Sequence, residues 1–197
     1  MSDSPLQVLL VVGSLREDSA TRAMLGIAAE RLQAAGCATD LLDLAGHPLP
    51  LYNPDTAYDE PGFPALKARV ERADVLFLGT PDYHGSISSP MKNFLDHFWH
   101  EFAGKLFASV VASYDKGLTV TDQLRTVARQ CYAWSLPYGV AFVEDKDVRD
   151  SRVYDEAFRN RLAMLARDMR VYGTLLAQQR REDLAGDEGG FLARHRR

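Results

Sequence analysis

Cysteine is scarce in this chain, and an excess of positive charge is missing altogether. Only Cys37 and Cys131 occur in 197 residues. They are too few and too far apart for a zinc cluster or a disulfide framework, so no metal is expected and a reduced, cytoplasmic setting is. Lys and Arg number 23 against 27 Asp and Glu, a formal net charge of -4. Such a balance gives no field to draw a nucleic-acid backbone. The basic ending Arg194-His195-Arg196-Arg197 is offset by Glu182, Asp183, Asp187 and Glu188 just upstream, so no nucleic-acid partner is expected. No apolar run near the start approaches the ~20 residues of a membrane span. The longest there is Val8 to Val12, and Met1-Ser2-Asp3-Ser4 lacks the basic region of a signal peptide. A soluble, unexported protein without a membrane partner is the expectation.

Two nucleotide signatures are absent as well. The run Gly13-Ser14-Leu15-Arg16-Glu17-Asp18 has no second glycine, which argues against the Gly-x-Gly-x-x-Gly turn of the six-stranded dinucleotide fold. The Gly-x-x-x-x-Gly-Lys-Ser/Thr loop is missing too, which argues against a nucleoside triphosphate with its magnesium. The same run holds no cysteine, which removes a cysteine phosphatase.

What is present is ordinary globular material, 46% hydrophobic and 25% charged, enough for one core without staples. Leu6 to Val12 is an almost unbroken aliphatic run and Val75 to Leu78 an apolar one, each closed by glycine, the pattern of strands buried on both faces of a parallel sheet. Thr39 to Leu44, Leu106 to Ala112 and Tyr138 to Val143 supply three more strands. Between them the apolar period changes to that of a helix. Leu25, Ala28, Ala29 and Leu32 form one stripe behind a Ser19 N-cap, with Gly36 ending the helix. A proline-rich bend leads to a helix around Ala65 to Ala73. Met91, Phe94, Leu95, Phe98 and Phe102 line one broad face of the next. Leu124, Val127, Ala128 and Cys131 mark another, so Cys131 reads as core, and Leu162, Leu165, Ala166, Met169 and Leu176 mark the last. The expectation is a single α/β domain over 1–180, with a flexible tail over 181–197.

Alternating strands and helices imply a parallel sheet covered on both faces. The five-stranded flavodoxin-like order 2-1-3-4-5 fits best, and there the winding reverses between strands one and three. The loops after Val12 and Leu78 then open onto one crevice. The first loop combines the Ser14, Ser19 and Thr21 hydroxyls with Arg16 at a helix N-terminus, a seat for a phosphate that is held and not cleaved. Taken alone, Ser19 is a cap and Arg16 a solvated charge. The second loop, Thr80-Pro81-Asp82-Tyr83-His84-Gly85-Ser86, offers an aromatic face at Tyr83 and close backbone approach at Gly85, which suits a planar heteroaromatic ring. Lys92 and Asp96, spaced i, i+4, read as a solvated ion pair.

These segments, with Leu49-Pro50-Leu51-Tyr52-Asn53, Ala73-Asp74, Lys92-Asn93 and Asp96, resemble the NAD(P)H-dependent FMN reductases of flavodoxin-like fold, which include quinone, azo-dye and chromate reductases. The resemblance implies an oxidoreductase with FMN as cofactor and NAD(P)H as co-substrate. Electrons would pass to a small-molecule acceptor such as free flavin, a quinone, an azo compound or a metal oxyanion, in ping-pong fashion. It carries the FMN phosphate onto Ser14, Arg16, Ser19 and Thr21, and the ring onto Pro81, Asp82, Tyr83, His84, Gly85 and Ser86. Ser113, after strand four, joins the cofactor set, where many relatives have a glycine-rich turn and this chain reads Ser113-Tyr114-Asp115-Lys116-Gly117. Relatives often have Glu at the place of Asp82 and Asn at that of His84. Because the flavin carries the chemistry, no catalytic side chain is assigned. Tyr83 and His84 are candidate substrate contacts, and the amides of Gly85 and Ser86 are candidate stabilisers of negative charge on the ring. The resemblance also implies a homodimer or dimer of dimers, with Phe94, Trp99, Tyr52 and Tyr58 as candidate contacts. A flavodoxin-like electron carrier or a flavin-free scaffold is the alternative.

Overall fold

The computed structural model describes residues 4–149 and 152–195; Met1 to Asp3, Asp150, Ser151, Arg196 and Arg197 lie outside it. Strand β1 (Gln7–Val12) pairs in parallel with β2 (Ala38–Asp43) on one side and β3 (Val75–Tyr83) on the other. Strand β5 (Leu106–Ala112) continues the sheet beyond β3. The aliphatic runs form these strands because alternate side chains point to opposite faces and both faces are covered. Val8, Leu10 and Val12 meet α1 (Ala20–Ala34) and α5 (Glu156–Ala185). Leu9 and Val11 meet α2 (Phe63–Arg72), α3 (Ser89–Asp96) and α4 (Leu118–Gln130). The order is that of a flavodoxin-like sheet, with its winding reversed at β1.

The sheet has seven strands rather than the expected five: β2, β1, β3 and β5 in that order, a divided strand beyond β5, and a short one beside β3. The outer strand is divided into β6 (Trp134–Ser135) and β7 (Val140–Phe142), each parallel to β5. Pro137 lies between them, where a residue without an amide hydrogen interrupts the ladder. The other addition is β4 (Ser86–Ile87), which folds back antiparallel on β3. The stretch from Thr80 to Tyr83 is therefore strand, not loop. A separate hairpin, β8 (Val148–Arg149) and β9 (Arg152–Val153), precedes α5.

The helix carrying Met91 and Phe94 stops at Asp96, and Phe102 sits in a short 3-10 turn, His100–Phe102. Phe98 nevertheless stacks on Phe63 and touches Phe94 and Phe102. The aromatic cluster, not continuous helix, keeps these residues on the buried side. Phe94 is fully buried within it, so it is no subunit contact, whereas Tyr58 and Trp99 are more than half exposed. Cys131 is buried, and that burial pushes its thiol up to about 11, the behaviour of a packing residue rather than a nucleophile. Lys92 pairs with Asp96 at 2.6 Å. The last helix runs on to Ala185, and Leu192 beyond it is buried. Among the described residues no helix is long and apolar enough to cross a membrane.

Candidate functional site

The first loop leaves β1 at Gly13 and enters α1 through Ser19, whose hydroxyl accepts from the Arg22 amide at 3.2 Å as an N-cap. The first turn of a helix has amides with no partner inside the helix. Here the loop adds to them: among the described residues the amides of Ser14 to Asp18 have no acceptor within the chain. Ser14 and Thr21 are 4% and 2% exposed, and both line the cavity beside this loop. A run of unpaired amides beside two hydroxyls at the positive end of a helix suits an anion of phosphate size.

Arg22, which sequence reasoning did not single out, holds this loop in shape. Its guanidinium reaches the Arg16 carbonyl at 2.9 Å, the Glu17 carbonyl at 2.7 Å and the Asp43 carboxylate at 2.5 Å. Its position on the first turn of α1, facing back toward the loop, is set by the helix itself. Only the acidic end of β2 brought next to it by the sheet could have revealed the pairing. Arg16 is also engaged, donating to both oxygens of Glu144 at 2.8 and 2.9 Å.

The second loop is a two-residue hairpin. His84 and Gly85 have φ of 57° and 75°, and Tyr83 pairs with Ser86 across them. Positive φ at both central positions is the type I′ turn, which asks for Asn, His or Asp followed by Gly. Asp82 completes the turn, its carboxylate accepting from the Gly85 amide at 2.8 Å and from the Ser113 hydroxyl at 2.9 Å. The Gly85 amide is thus committed inside the protein, which removes it as a stabiliser of a ring. From α4, Gln123 accepts from the Ile87 amide at 3.0 Å and the Ser86 hydroxyl at 3.1 Å. Ser86 is turned toward that helix.

The two loops meet at one point. Gly13 donates its amide to the Gly79 carbonyl at 2.8 Å, and the Gly13 carbonyl accepts from the Ser88 hydroxyl at 2.5 Å. Ser88 in turn donates its amide to the buried Thr80 hydroxyl. A Cβ on Gly79 would lie 2.7 Å from Leu25 and 3.0 Å from Thr21, so only glycine lets α1 approach β3 this closely.

Above this junction lies a cavity of about 240 Å3 lined by Ser14, Arg16, Ser19, Thr21, Pro81, Asp82, Tyr83 and Ser113, together with Ala112, Tyr114 and Glu144. Eight of the residues singled out from sequence are gathered there. His84, Gly85 and Ser86 are not on its wall. Tyr83 and Tyr114 present more than half-exposed rings at its mouth. Glu144 went unread because no motif surrounds it; it arrives from the far end of the chain through the β7 connection. Among the described residues no group of acidic, His or Cys side chains is placed to hold a metal ion.

Gly85 yields a test that separates turn geometry from ligand contact. Gly85→Val places a branched side chain at a left-handed φ, costing roughly 1 to 2 kcal/mol. The Tyr83 face should then be displaced, and flavin titration of the variant should show weaker binding while its circular dichroism stays native. Undiminished binding would place the ring elsewhere.

Residues 6–147 match the family model described as NADPH-dependent FMN reductase. A probable NADPH:quinone oxidoreductase 1 of Oryza sativa subsp. japonica is 36% identical over 99 residues, 46% of this chain and 48% of that protein. The NADPH-dependent FMN reductase ArsH of Shigella flexneri is 30% identical over 140 residues, 68% of this chain and 54% of that one. The chain spans about half the length of these curated relatives. Among solved structures, an NADH:FMN oxidoreductase (EMOB) in its apo form superposes with a TM-score of 0.70 at 17% identity, covering 85% of this chain and 89% of the other.

Proposed function

The chain belongs to the NADPH-dependent FMN reductase family, and from that premise we propose that it oxidises NAD(P)H on a bound FMN and passes the electrons to a second small-molecule acceptor. The observation that carries this reading is the anion seat: unpaired Ser14 to Asp18 amides with the Ser14 and Thr21 side chains on the same cavity wall, at the entry to α1. That donor set fits a phosphate monoester, and Pro81 and Tyr83 extend from it as a shelf for a flat ring. FMN supplies hydride acceptance and electron transfer; the protein binds and orients. Ser14, Thr21 and Arg16 hold the phosphate, and Ser19 keeps α1 capped behind it. Asp82 fixes the hairpin and Ser113 together, which positions Tyr83 at the mouth. Tyr83 and Tyr114 narrow the opening in which nicotinamide and acceptor alternate. A quinone is the acceptor class to try first, supported by the name of the rice relative. A homodimer contacting through Tyr58 and Trp99 and a cytoplasmic setting belong to the same proposal.

A shared opening requires the oxidised nicotinamide to leave before the acceptor enters. Initial rates at varied NADPH and quinone are therefore expected to give parallel double-reciprocal lines, and intersecting lines would reject the shared site. Anaerobic addition of NADPH or NADH to the FMN-loaded protein is expected to bleach the flavin absorbance rapidly. Binding without bleaching would make the protein an electron carrier instead. Light scattering at micromolar concentration checks the dimer.

A further inference from the structure

Glu144 is an odd occupant for a phosphate seat. Its carboxylate lies on the wall of the cavity beside Ser14, Ser19 and Thr21, where it takes the Arg16 guanidinium at 2.8 Å and 2.9 Å. The segment that carries it is tightly braced. Asp145 donates its amide to the Val148 carbonyl, Asp147 donates its amide to the Val143 carbonyl, and the Asp147 carboxylate accepts from the Val143 amide. Glu144 itself forms a backbone bridge with Val148. The carboxylate is therefore brought to Arg16 by an ordered turn. Nearby charge is negative too: Glu17, Asp18 and Asp145 border the same corner, and Arg22, the other cation there, is held by Asp43.

We propose that Glu144 is a built-in competitor for the flavin phosphate: it occupies Arg16 in the free protein and must release it when FMN binds. This rests on the FMN reading of the site. Both anions draw on the same guanidinium, and a phosphate that wins it still lies close to the displaced carboxylate. The consequence is weakened FMN affinity, with no penalty on a flavin that lacks the phosphate. FMN is then held as an exchangeable ligand more than as a permanent prosthetic group. Glu144 acts as a positioning residue through Arg16, setting how strongly the site prefers FMN over riboflavin.

The test is a double-mutant cycle read by flavin-binding titration of the full chain. Glu144→Gln is expected to tighten FMN binding about five- to tenfold, and riboflavin binding should be unchanged, since an ion pair is lost from the free state and a repulsion from the bound state. Glu144→Ala must change affinity in the same direction. In an Arg16→Ala background only the repulsion remains to be relieved, so the gain from Glu144→Gln should fall to less than about half of that in the parent. Equal gains in both backgrounds would overturn the competition, because Glu144 would then act only as a distant charge. Unchanged FMN affinity in a folded Glu144→Gln protein overturns it as well. A folded parent protein that binds no FMN at all overturns the flavin reading itself, an outcome distinct from the other two.

Discussion

Arg16→Ala is expected to raise the dissociation constant for FMN by about one to two powers of ten, because a charge-assisted hydrogen bond to phosphate contributes roughly 1.5 to 3 kcal/mol. Arg16 is the cation on the cavity wall, its side chain more than half exposed and paired with Glu144. Its removal also leaves the Glu144 carboxylate facing the phosphate without a counterion. Riboflavin, which shares the ring and the ribityl chain but carries no phosphate, should lose far less. Fluorescence titration with both ligands measures the difference directly, and equal losses would place Arg16 away from the phosphate.

Substituting Lys105 should have the largest effect on stability. This residue opens the approach to β5 and is 1% exposed, a place where a cation survives only with full hydrogen bonding. Its ammonium donates to the carbonyls of Val70 at 2.8 Å, Glu71 at 2.7 Å and Ala73. These are carbonyls at the C-terminal end of α2, which the helix cannot satisfy and whose dipole favours a positive charge. Lys105→Met keeps the aliphatic stem and deletes the three donors, leaving buried carbonyls unpaired at a cost of about 3 kcal/mol. Chemical denaturation should show it.

Burial, reinforced by Arg180, pulls the Lys105 pKa down to about 7. The unfolded chain keeps that proton to about pH 10.4. Between those values the unfolded state binds more protons, so the contribution of Lys105 to stability rises with pH. The gap between wild type and Lys105→Met should therefore widen from pH 6 to pH 9, and a gap that narrows would contradict the lowered pKa.

The parts of the fold legible in sequence were those where one local pattern decides the outcome. β1, β3 and β5 are aliphatic because both of their faces are buried, and the helical stripes follow from single-sided packing. Three features depended on contacts that sequence does not display. Pro81 looks like a strand terminator, yet β3 carries through it because parallel pairing with β5 reaches Pro81 opposite Ala112, and antiparallel pairing with β4 then holds Asp82 and Tyr83. The α3 helix ends at Asp96 without a glycine or proline, since stacking of Phe98 on Phe63 wins over helical continuation. At the site, the motif residues around Gly13 and Pro81 were readable, but their controllers were not. Arg22, Gln123 and Glu144 act through partners 21 to 128 positions away. The turn at His84-Gly85 did carry a local signal, the pair of residues tolerant of positive φ, and it speaks of backbone shape rather than of substrate.

The Gly13, Ser88 and Thr80 junction has a consequence for ligand choice. Because the phosphate loop and the ring shelf are pinned to each other at that point, the distance between them belongs to the protein and acts as a caliper. A molecule whose anion and ring are spaced to match meets both ends at once, and the second contact then forms without a further search through space. One whose tether is too short touches either end alone. Selection at this site would thus rest on reach, and loosening the pin at Ser88 would blur it even with every ligand-facing side chain intact.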